Sequence, residues 1–284
     1  MNCSAMSALI MGRCLKNQGF IKGNEMKTTK LLKSMLLSAV FVTTQAIAAP
    51  MAVDLELVLA VDVSGSVDGN EYSGQRNGYI SAFNDAAVQS AMFSTDNGRL
   101  GKIAVTYVEW DNGQTTQVGW TLISDAAEAA AFATAIGSTT RSGSASTGIG
   151  NAVAYSSGLF SFNDPGNAAF EGARQVIDVS GDGTNNTGIA PATARDAALL
   201  AGVDAINGIA IGNEFLRTYY ENNVIGGADS FALLATDFED SFTAGIRQKL
   251  FQEITGTPVP EPATLGLLGL GMMGLFLRRR KMAA

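Results

Sequence analysis

The chain has 284 residues, 46% of them hydrophobic, with a formal charge of −7, enough for one substantial domain with appendages. It contains no histidine, and its only cysteines, Cys3 and Cys14, precede the expected mature start, which excludes Ser-His-Asp and Cys-His catalysis and any disulfide in the mature protein. Residues 49–258 carry 24 Asp and Glu against 9 Lys and Arg, a net −15, so a nucleic-acid partner, which needs clustered cations, is not expected.

The remaining basic residues lie in the two ends. Lys27, Lys30 and Lys33 precede the apolar run Met-Leu-Leu-Ser-Ala-Val-Phe-Val from Met35, followed by Ala-Ile-Ala-Ala at Ala46–Ala49. A basic region, a short apolar region and an A-x-A site predict a secretory signal, with cleavage after Ala48 and residues 1–48 as leader. Met26 offers an alternative start.

Residues 49–256 then alternate strand and helix. Leu55–Val61, apolar except for Glu56, fits a central parallel strand. A helix is expected over 70–90, a strand over Lys102–Trp110, and its hairpin partner over Thr115–Trp120 after the turn Asp111-Asn112-Gly113. Helices are expected over Ser124–Ile136 and Thr147–Phe160, and a strand over Arg174–Ser180. Pro191–Ala201 is a helix opened by its proline. A strand over Val203–Ile211, a short helix over Glu214–Asn222, a strand over Phe231–Ala235 and a helix over Phe238–Ile254 complete the series. Repeated β-α units predict an α/β fold: a Rossmann-like doubly wound, mostly parallel sheet with one antiparallel strand and helices on both faces.

Residues 257–262 form a linker containing Pro260-Glu261-Pro262, and residues 263–284 an apolar stretch ending in Arg278-Arg279-Arg280-Lys281. Fifteen helical residues, Ala263 to Leu277, span roughly 22 Å, short of the roughly 30 Å hydrocarbon core, so crossing needs help from flanking residues. The order of motif, apolar helix and basic cluster resembles the PEP-CTERM sorting signal. The resemblance implies a transient inner-membrane anchor, processing by an exosortase-like enzyme, and delivery to the cell surface or matrix of a Gram-negative bacterium. Gly269, Gly271 and Gly274 spell G-x-G-x-x-G inside this tail, but lack the strand and long helix a dinucleotide site requires.

The chemistry concentrates where strands end. In Val-Asp-Val-Ser-Gly-Ser, alternation lets Asp62, Ser64 and Ser66 face one way. Thr147 can add a third hydroxyl, with Ser144 or Ser146 as alternatives in the same loop, and Asp182 a second carboxylate. Such oxygen donors suit Mg²⁺, or Mn²⁺ or Ca²⁺, and a ligand set with little charge leaves the ion electrophilic toward an incoming carboxylate. Asp-Val-Ser-Gly-Ser resembles the D-x-S-x-S of von Willebrand factor A domains, and Thr147 and Asp182 match that family's later threonine and aspartate. The resemblance implies a metal-ion-dependent adhesion site. Many members carry Thr before the Asp-Gly pair; here Gly181 stands there, a departure that bears on affinity. Asp178 and Ser146 are candidates for supporting roles, and Asp68, Glu71, Asn185 and Asn186 for the rim.

The expected function is therefore a secreted or surface-displayed module that binds an acidic protein side chain or anionic matrix ligand through a divalent cation, without catalysis. The alternatives are a metal-dependent hydrolase using Asp178 or Glu109 as base, and a purely structural matrix protein.

Overall fold

The computed structural model describes residues 49–160 and 169–256. The expected leader, the linker and the C-terminal tail lie outside the described residues. Among the described residues no helix is long and apolar enough to cross a membrane.

In chain order the strands are β1 (Met51–Val53), β2 (Leu55–Asp62), β3 (Ile103–Trp110), β4 (Gln114–Ile123), β5 (Phe170–Gly172), β6 (Gln175–Gly181), β7 (Ala205–Ile211), β8 (Gly226–Gly227) and β9 (Ala232–Ala235). The helices are α1 (Gly69–Phe83), α2 (Ala86–Phe93), α3 (Ala126–Gly137), α4 (Ile149–Gly158), α5 (Pro191–Ala201), α6 (Glu214–Asn223) and α7 (Asp240–Thr255).

β2 is buried along its whole length because both of its faces are covered. It pairs in parallel with β3 on one side and β6 on the other. The main sheet runs β4-β3-β2-β6-β7-β8, with β9 also pairing with β7. The doubly wound, mostly parallel sheet is the expected one. β4 is its antiparallel member, and the two-glycine β8 adds a second short antiparallel contact. Strand order reverses between β2 and β6, so their C-terminal ends flank the crevice where ligands of such sheets bind.

The period-2 pattern of β2 explains the two cores. Leu55, Leu57, Leu59 and Val61 pack with Tyr79 and Phe83 of α1, Phe132 of α3, and Phe242 and Leu250 of α7. Val58 and Ala60 pack with Ile149 and Val153 of α4, Ala194 of α5 and Tyr220 of α6. Each fully buried aliphatic or Phe side chain here contributes about 1.5–3 kcal/mol. Trp110 is wholly buried in the second core, and Trp120 packs against its edge with Nε1 donating to the Leu159 carbonyl at 3.1 Å.

Several local expectations change. The single helix over 70–90 is two helices, because Asp85 caps α2 by accepting from the Ala87 and Val88 N–H groups at 2.9 and 3.2 Å. β4 continues to Ile123, past the expected Trp120. β1 and β5 form a separate parallel pair, Met51–Val53 against Phe170–Gly172, too short to show a period. Glu56, the polar exception in β2, is buried, and its Oε2 accepts from the Gly172 N–H at 2.9 Å and Gln175 Nε2 at 3.0 Å.

Candidate metal centre

The apolar run of β2 carries the chain to its C-terminal end at Asp62, where the sheet stops and the next residues must turn. Asp62 Oδ1 accepts from the Ser64 N–H at 2.7 Å, a local bond that shapes the turn. Ser64 Oγ lies 3.3 Å from Ser66 Oγ and accepts from Thr147 Oγ1 at 3.3 Å. Ser66 Oγ donates to Asp182 Oδ1 at 2.6 Å. Four of the five side chains expected at the site are thus linked directly, and Asp62 joins them through the Ser64 N–H. They come from the end of β2, the approach to α4 and the loop after β6. Asp62, Ser64 and Thr147 are buried, Asp182 is half-buried and Ser66 is exposed, so the group forms a floor with an open rim.

The backbone holding them is pinned from several directions. Arg141 Nη2 donates to the carbonyls of Val63, Ser64 and Val67 at 2.7–2.8 Å, gathering the β2–α1 loop around one cation. Gln75 Nε2 donates to the Asp62 carbonyl at 3.0 Å, and the Gly65 N–H to that of Ala145 at 2.8 Å. The loop before Thr147 is held by carboxylates at the end of β3: Glu109 Oε2 accepts from the Ser142 N–H and Asp111 Oδ2 from that of Ala145, both at 2.8 Å. Asn186 Oδ1 accepts from the Thr147 N–H at 2.9 Å, and the Asn186 N–H donates to the Thr147 carbonyl at 2.9 Å. Sequence alone marks Asp111 only as a turn residue and Asn186 only as rim, and does not mark Arg141. The bonds that fix the site run to backbone groups of remote loops, which no local pattern announces.

Other candidates fall elsewhere. Asp178 is directed to the opposite face of β6, where its Oδ1 lies 2.5 Å from Lys249 Nζ of α7. Alternation along the strand sends it to the first core, away from Asp62. Ser146 is exposed. Asp68 and Glu71 form the capping box of α1, each side chain accepting from the other's backbone N–H.

The electrostatics suit a cation. Asp62 Oδ2 is buried with no hydrogen-bond partner among the described residues. Burial pushes the Asp62 carboxyl up to about 7; the Ser64 hydrogen bonds and the Asp182 backbone N–H pull it down, and the Asp182 charge raises it. Asp182 is also raised, mainly by burial, against the Ser66 hydrogen bond. A buried carboxylate oxygen without a partner is costly, and a bound dication would supply what it lacks. No three His, Cys, Asp or Glu side chains cluster as a metal site among the described residues. The donor set is instead two carboxylates and three hydroxyls, all hard oxygens that fit Mg²⁺ or Mn²⁺.

The sequence profile of the family described as "Protein of unknown function (DUF1194)" matches residues 52–258, and that of the PEP-CTERM protein-sorting motif matches residues 258–281. No curated protein matches the sequence. Among solved structures, proximal thread matrix protein 1 from the mussel byssus superposes with a TM-score of 0.54 at 15% identity, over 73% of this chain and 50% of that one. A second structure of the mussel protein, described as having a zinc-occupied MIDAS motif, gives 0.53 over the same shares. The pilus adhesin SpaC of Lactobacillus rhamnosus GG gives 0.52 at 13% identity, over 72% of this chain and 31% of that one. This chain spans half the length of the mussel protein, and at these identities the likeness is one of fold.

Proposed function

This chain belongs to the DUF1194 family, whose description carries no activity, and from that premise we propose that it is an exported binding module built on a divalent-cation adhesion site. Asp62, Ser64, Ser66, Thr147 and Asp182 hold Mg²⁺ or Mn²⁺, directly or through water. A coordination position left open toward the exposed rim takes the carboxylate of a protein partner or of an anionic matrix polymer. Residues 1–48 are removed on export. The apolar tail holds the chain at the membrane until an exosortase-type enzyme acts at Pro260-Glu261-Pro262, after which residues 49–256 are displayed at the surface or in the matrix.

One observation carries the reading: Asp62 Oδ2 is buried without a hydrogen-bond partner at the end of β2, where three hydroxyls and a second carboxylate converge from three loops. The fold shared with a pilus adhesin and with a byssal matrix protein, one structure of which has a zinc-occupied motif of this type, supports it. A role without catalysis is favoured because the two candidate bases are already engaged. Asp178 pairs with Lys249, and Glu109 accepts from the Tyr72 hydroxyl at 2.7 Å as well as from Ser142.

Thermal unfolding with and without Mg²⁺ tests the site. At a hundredfold excess over Kd the cation adds about 2.7 kcal/mol, a rise of roughly 5–10 °C in Tm for a domain of this size. Asp62→Ala abolishes the rise. An equal rise in wild type and variant would remove the basis for the proposal.

A further inference from the structure

Gly208 of β7 and Gly181 of β6 lie under the ring and the tip of Tyr220. A β-carbon on Gly208 would sit 2.7 Å from Tyr220 Cδ1. One on Gly181 would sit 2.7 Å from Tyr220 Oη and 2.7 Å from Asp62 Oδ2. The two glycines therefore open a slot through which the phenol of α6 reaches the floor of the candidate site. Its oxygen and the free oxygen of Asp62 both border the space one β-carbon would fill. Tyr220 is fully buried, and among the described residues neither oxygen has a hydrogen-bond partner. Buried tyrosine hydroxyls are normally bonded, and so are buried carboxylate oxygens. Two such orphans at one point belong together.

We propose that Tyr220 is a positioning residue of the cation site, its hydroxyl donating to Asp62 Oδ2 directly or through one water. The helix α6 thereby supplies the hydroxyl that a glycine at 181 cannot. This rests on the reading of the site as a cation site. With the Ser64 N–H on Oδ1 and the Tyr220 hydroxyl on Oδ2, the plane of the Asp62 carboxylate is fixed before the ion arrives. The phenol does this without adding charge, so the ion keeps its attraction for an incoming carboxylate.

The test uses the full-length chain in detergent, with Mn²⁺ affinity read by electron paramagnetic resonance and melting measured in EDTA. Tyr220→Phe keeps the ring in its slot and removes the donor, and Mn²⁺ affinity falls roughly tenfold, the effect of losing one hydrogen bond to a charged group. Wild-type Mn²⁺ affinity in Tyr220→Phe overturns the proposal, because a packing role alone shifts melting and not Mn²⁺ binding. A wild-type chain that takes up no Mn²⁺ overturns the cation site itself and this proposal with it.

Discussion

At Asp62 the interior holds a carboxyl pushed up to about 7 by burial, against an ordinary value of 3.8. The sign of its effect on stability follows from proton counting. Between about pH 4 and 7 the folded chain holds a proton there that the unfolded chain has released, so the metal-free protein loses stability as pH rises through that window. The loss amounts to a few kcal/mol at most. Asp62→Asn keeps the shape and removes the titration. Without metal at pH 8 this variant is expected to melt higher than wild type, while gaining nothing from Mg²⁺. The same proton opposes the ion: Mg²⁺ affinity falls as pH drops below about 7, and uptake near neutrality releases protons, measurable by calorimetry in buffers of different ionisation enthalpy. Asp62, Ser64 and Ser66 were legible in the sequence because they alternate within one short stretch. Thr147 and Asp182 were legible from their places, opening a helix and just past a strand, and the resemblance ordered them. Tyr220 was not, since what aims it is a pair of glycines on other elements.

Elements show the same division between local and remote causes. The β-α rhythm and the proline opening α5 were read with close boundaries, because alternation and capping are written along the chain. The break at Asp85 was passed over, since the apolar positions continue across it. The buried ionic group beneath the sheet was invisible: Lys249 Nζ lies 2.5 Å from Asp178 Oδ1 and 2.7 Å from Glu253 Oε1, all three fully or almost fully buried. Asn207 Nδ2 adds a bond to Glu253 Oε1 at 3.0 Å. Burial raises Asp178 despite its lysine partner. This group ties α7 to β6, whose far end leads to Asp182. Lys249→Met leaves two carboxylates facing each other in the core, and is expected to cost about 3–5 kcal/mol in denaturant unfolding. Replacing all three by apolar residues of like volume is expected to cost far less.

For the whole molecule, the fold places an acidic surface and an oxygen-lined crevice on a chain that carries the PEP-CTERM sorting motif at residues 258–281. Deleting Pro260-Glu261-Pro262 is expected to leave the chain in the membrane fraction of producing cells, as seen by immunoblot of fractionated cells, while its Mg²⁺-dependent melting stays as in wild type. Loss of that melting shift would show that the tail contributes to the crevice. The architecture was legible from the sequence because β-α alternation permits few topologies.

The bond from Ser66 to Asp182 joins positions 116 residues apart. No stretch of loose polypeptide brings those oxygens together, so an ion can be captured only after β2 and β6 have become neighbours. If the proposed cation is held here, its retention is a readout of the native state, and its escape marks the moment the sheet opens. The proposed surface module, placed in a medium stripped of divalent ions, would lose grip on its partner and resistance to unfolding at one stroke.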